Sequence, residues 1–167
     1  MTATCSPSDI PRYCDEPFPA YRYLPFRPDI PHPKVDPAGH SYGREDDDLA
    51  GFSPADWRQC QPFLYGVDLF NNGYWWEAHE AWETIWLAAG QKTPTGQFIQ
   101  GLILLSAGQL KRVMQETRGA ETLTASGVAK LQQTAGCFLG IEVAPLLAAA
   151  KNSLHQEGVV PRIRLIF

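Results

Sequence analysis

From Ser53 onward, apolar residues recur every three or four positions, at Trp57, Cys60, Leu64, Val67 and Phe70, the spacing of a helix with one buried face. Ser53 suits the N-cap and Pro54 the first helical position, while Pro62 predicts a kink or a split. Asn71-Asn72-Gly73 supplies a stop, and a tryptophan-rich segment follows at once, so the first two helices are expected to be antiparallel or sharply crossed neighbours. After the loop Gly90-Gln91-Lys92-Thr93-Pro94, Thr95 is the expected cap of a third helix running to about Glu116. That helix is apolar nearly all round, the mark of a central element, and Gly101 and Gly108 share a side where a neighbour can approach closely. Arg118-Gly119 predicts a break before a fourth helix over about Ala120 to Gln133, with Leu123, Val128 and Leu131 inward. A turn over Gly136 to Gly140 precedes a fifth helix from Glu142 to Leu154, with Val143, Leu146 and Leu147 inward. The tail 159–167 cannot stay helical through Pro161 and alternates apolar with basic residues, so it reads as an extended strap.

Ahead of Ser53 the periodicity vanishes. Eleven of the fourteen prolines lie at or before Pro62, and the segment from Pro7 to Pro37 matches neither helix nor strand. Its aromatics, Tyr13, Phe18, Tyr21, Tyr23 and Phe26, argue for an arm that wraps the bundle rather than a free tail. The acidic run Glu45-Asp46-Asp47-Asp48 reads as a solvated linker. The fold class is therefore all-α: a small bundle of about five helices, with residues 1–52 as extended arm and linker and 53–167 as the helical domain.

Composition narrows the functional classes. At 167 residues and 44% hydrophobic content, the chain can bury a core of its own. A net charge of -4 gives no basic field for neutralising phosphates, which disfavours nucleic acid as a partner. No stretch is apolar enough for a membrane span, since Gln100, Ser106 and Gln109 interrupt the longest one. Cys5, Cys14, Cys60 and Cys137 show no paired spacing and read as reduced thiols; with no secretory pattern in residues 1–7, a cytoplasmic location is expected. A small molecule, a protein partner or a second copy of the chain stays open.

The chemistry concentrates in the second helix. At about 100° per residue, Trp75, His79, Trp82, Glu83 and Trp86 fall in one stripe with Trp76 beside it, while Glu77, Ala81, Thr84 and Ile85 point away. Ionisable groups on a buried stripe must be paired, hydrogen-bonded, metal-bound or used. His79 and Glu83, four apart, can form a structural pair within a buried polar network. They can instead ligate a divalent metal with Glu80, the set completed by His32 or His40 of the arm or by a second subunit. As a third reading, they can act as a coupled acid and base, tuned by the surrounding indoles. Trp75, Trp82 and Trp86 can line a ligand pocket with Gln100, which is placed to hydrogen-bond His79 or Glu83. Glu77 is expected in solvent, favouring the helix start, and Arg112 at the bundle rim.

The stretch Asp68-Leu69-Phe70-Asn71-Asn72-Gly73-Tyr74-Trp75-Trp76-Glu77-Ala78-His79-Glu80-Ala81-Trp82-Glu83, followed by Phe98-Ile99-Gln100-Gly101-Leu102-Ile103, resembles the signature of the domain of unknown function 309 family. The resemblance spans roughly Phe63 to Leu131. It implies a small helical bundle in a cytoplasmic prokaryotic protein and carries no established activity. Three expectations follow: a polar His/Glu cluster beneath a ligand or partner surface, a metal-dependent hydrolase-like enzyme using His79, Glu80 and Glu83, or a pure interaction module.

Overall fold

The computed structural model describes residues 10–45, 52–156 and 158–167. The acidic run beyond Glu45, the amino-terminal residues 1–7 and Cys5 lie outside them. Pro62 does split the first helical stretch: Pro54–Gln59 is a 3-10 helix capped by the Ser53 hydroxyl, and α1 spans Gln61–Asn71. The remaining helices are α2 (Trp75–Ala89), α3 (Pro94–Val113), α4 (Thr117–Leu131) and α5 (Val143–Ser153). None of the described helices is long and apolar enough to cross a membrane.

Thr93, not Thr95, caps α3, its hydroxyl accepting from the Gly96 N–H at 3.0 Å, because Pro94 occupies the first helical turn where it needs no donor. Arg118-Gly119 does not break a helix either. The chain turns three residues earlier, at Gln115 with φ 61°, and both residues lie inside α4. Between α4 and α5 the expected turn is a small antiparallel hairpin, β1 (Cys137–Phe138) and β2 (Ile141–Glu142), in register Cys137 to Glu142 and Phe138 to Ile141. Leu139 and Gly140, both at positive φ, form its tip.

α3 is central, packed on α2 and α4, while α1 pairs with α2. Gly101 and Gly108 mark the crossing with α4: a Cβ on Gly101 would stand 2.7 Å from Leu131 Cγ, and one on Gly108 2.5 Å from Thr124 Oγ1. The core gathers Phe63, Val67, Phe70, Trp82, Ile85, Phe98, Ile99, Leu102, Leu105 and Leu131, all fully buried or nearly so.

Two extended segments close over this bundle, and buried polar groups of α1 and α2 hold both. Asp68, wholly buried, accepts from Arg12 Nε at 3.0 Å and from the backbone N–H groups of Tyr13 and Cys14 at 2.9 to 3.1 Å. Asn71 pairs with both backbone groups of Ile163, its Nδ2 donating to the carbonyl and its Oδ1 accepting from the N–H, each at 2.7 Å. The strap also bridges Leu165 to Ile141, and the Leu165 N–H donates to the Tyr13 hydroxyl, so arm and strap meet. Arg112 sits at the rim as expected, donating to the carbonyls of Gln156 and Val159. Phe18 stacks on Tyr74 at 5.1 Å and Tyr23 packs edge-on to Trp76 at 5.0 Å. Phe26 departs from the wrapping role: it is 84% exposed, at φ 69°.

Asp68→Ala removes the acceptor shared by Arg12 Nε, the backbone N–H groups of Tyr13 and Cys14, and the Cys14 thiol, and strands the two backbone donors under the arm. A loss of about 3 kcal/mol is expected. Limited proteolysis should then cut within residues 12–18 while the helices persist by circular dichroism; an intact, protected arm would contradict this role for Asp68.

Candidate functional site

α2 presents three faces rather than two. Ala78, Trp82 and Ile85, all fully buried, make the core face. Ile85 therefore lies inward, against the sequence expectation, and Trp82 is a core residue, its Nε1 donating to the Phe63 carbonyl at 3.3 Å; it is not available to a ligand. Gly66 makes room for that indole, since a Cβ there would stand 2.2 Å from Trp82 Nε1.

A second face, rotated by about 90°, carries Trp75, His79, Glu83 and Trp86, all half-buried. The His/Glu cluster is thus at the margin of the core and not within it. His79, Glu80 and Glu83 each offer a ligand atom within 4.8 Å of the others. Among the described residues the side chains of His79 and Glu83 have no hydrogen-bond or ion-pair partner. Glu80 Oε2 pairs with Lys34 Nζ at 2.8 Å. The indole N–H groups of Trp75 and Trp86, on the same stripe, are buried without acceptors. Gln100 is half-buried on α3 and, among the described residues, bonds neither His79 nor Glu83; Ser106 Oγ of α3 instead donates to the Trp75 carbonyl of α2 at 2.7 Å.

The arm histidines do not join this cluster. The imidazole of His32 packs edge-on to Tyr23 and Trp76, at 5.0 and 5.6 Å, and accepts from the Lys34 N–H. His40 reaches the third face of α2. There its Nε2 lies 3.1 Å from Glu77 Oε1 and its Nδ1 2.8 Å from Ser41 Oγ. Glu77 is only 5% exposed, in contrast to the solvent position expected of it, because the arm covers this side of the helix. Its Oε1 also accepts from the Tyr23 N–H at 2.7 Å, whereas Oε2 is buried with no partner. Burial pushes the Glu77 carboxyl above its ordinary range, opposed by the Tyr23 N–H and His40. Between arm, α1 and α2 runs a cleft of about 700 Å³, with Glu77, His40, Trp76 and Glu80 in its wall. The signal for Glu77 was its place in the same Glu-Ala-His-Glu run; the arm that buries it is more than thirty residues away.

Residues 63–123 match the model of a family described as Domain of unknown function (DUF309). Over that stretch the chain is similar to the family. The match begins at Phe63 in α1 and ends at Leu123 in α4, a little short of the expected extent, and it contains Asp68, Asn71, Glu77, His79, Glu80 and Glu83. The arm and the strap lie outside the matched stretch. No curated protein matches the chain by sequence.

A carboxyl with a raised folded pKa binds more protons folded than unfolded, so its contribution to stability falls as pH rises from the ordinary value of 4.5 through the raised one. Glu77→Gln abolishes that titration. Thermal melts across this interval should show the wild type losing stability relative to Glu77→Gln as pH increases, and parallel profiles would refute the assignment.

Proposed function

We propose that His79, Glu80 and Glu83 form a divalent-metal site of the open kind, with three protein ligands and a coordination position left for water, and that the chain is a metal-dependent, hydrolase-like enzyme. What carries this reading is the convergence of the three ligand atoms within 4.8 Å while His79 and Glu83 have no other partner among the described residues. One imidazole with two carboxylates suits Zn²⁺, Mn²⁺ or Fe²⁺. An ion about 2.0 to 2.2 Å from each donor draws ligand atoms to about 3.5 Å of one another, a contraction that half-buried side chains can make by rotation. Lys34 holds Glu80 by Oε2, leaving Oε1 for the ion. When bound, the metal would acidify a water and polarise an oxygen of the substrate. Glu80 belongs to the triad and to the cleft wall alike, which gives a substrate in the cleft a route to that edge of the site.

A second reading, a polar surface for a ligand or protein partner, is favoured by the unpartnered indole N–H groups of Trp75 and Trp86, which want acceptors. It differs in needing no metal.

Elemental analysis of protein purified without an affinity tag should find a transition metal near one equivalent, lost in His79→Ala. Because His79 is half-buried and unpaired, metal-free His79→Ala should unfold within about 1 kcal/mol of the metal-free wild type. Protein that neither retains nor takes up Zn²⁺ or Mn²⁺ would sink the metal reading, and a much larger destabilisation would assign His79 to the structural framework.

A further inference from the structure

The cleft between arm and bundle holds a feature the metal reading does not use. Glu77 is 95% buried in its wall, with Oε1 doubly hydrogen-bonded and Oε2 without any donor and closed to bulk solvent. A buried acceptor left unmade is unfavourable, so the fold tolerates it where something else supplies the bond. The terminal torsion of glutamate is soft, so the carboxylate can turn to meet a donor that enters the cleft.

The remaining wall narrows what that donor is. Phe18, Leu69, Trp76 and Ala81 give it an apolar side, and a volume of about 700 Å³ lies within the range of small-molecule sites. Four carboxyl groups line the cleft against Lys34, Arg44 and His40, and Lys34 is already engaged by Glu80. Acid in excess, an orphan acceptor and an indole wall together select a cation with an apolar body. We propose that the cleft binds a small organic amine, its ammonium group donating to Glu77 Oε2 and its body lying against Phe18, Leu69 and Trp76.

Benzylamine, with benzoate as the anionic control, titrated into the full chain and followed by the indole N–H resonances, tests this. Benzylamine should bind and benzoate should not. Glu77→Gln should weaken benzylamine about tenfold or more, the loss expected for a charged hydrogen bond. Thr84→Phe, which puts a bulky ring into the cleft wall and disturbs a local bond to the Ala81 carbonyl, should abolish binding and decides the matter if Glu77→Gln does not fold. Metal uptake through His79 and Glu83 should be unchanged in Thr84→Phe, so failure of the metal site and failure of the amine site read out separately. Equal binding of benzoate, full binding in Thr84→Phe, or no binding of benzylamine at all would overturn the proposal.

Discussion

The structure depends on how two buried carboxylates are satisfied. Asp68 on α1 and Glu77 on α2 are buried carboxylates whose side-chain partners come from the arm, and an ionised carboxylate stripped of water without partners would be intolerably costly. The arm resolves this with backbone N–H groups, a guanidinium and an imidazole, all more than thirty residues away in sequence. Proline suits the segment that does so: a chain barred from helix and sheet keeps its N–H groups for other acceptors. Asn71 does the same for the carboxyl-terminal strap, so both extended segments are secured by polar groups of one short stretch of α1 and α2.

The two carboxylates are not equivalent. Asp68 has donors on both oxygens and reads as a closed joint. Glu77 is satisfied on one side only, in a wall of a cleft that the arm itself creates. Covering the bundle with an irregular segment thus gives anchorage at one end and a half-finished polar site at the other. The His79, Glu80, Glu83 cluster lies on yet another side of the same helix, with Glu80 shared between cluster and cleft. A helix of fifteen residues holds core, cluster and cleft because each takes roughly a third of its circumference.

Much of the fold was legible in the chain. The three-to-four spacing placed all five helices, Pro62 marked the split before α1, and Gly101 and Gly108 announced the close crossing of α4. Misreadings occurred where neighbouring residues compete for one local role. Thr93 and Thr95 flank the same proline, and the turn before α4 relies on Gln115 in a left-handed conformation, which no glycine signals. On α2, four tryptophans suggested a single buried stripe. Only Trp82 is fully enclosed, and the true core face includes Ala78 and Ile85, whose small or aliphatic side chains give a weaker signal than indoles.

The sequence by itself determined the helices, the extended character of both ends and the segment in which the chemistry sits, because periodicity, proline and glycine act over a few residues. Tertiary structure alone decided which of the clustered acids is buried, that His40 rather than His79 meets Glu77, and that His32 stacks among aromatic rings instead of joining the metal-ligand set. The physical reason is that desolvation and hydrogen-bond partnership depend on what covers a side chain. On α2 that cover comes from an arm whose path is set by the packing of the whole molecule and by no pattern within the helix itself.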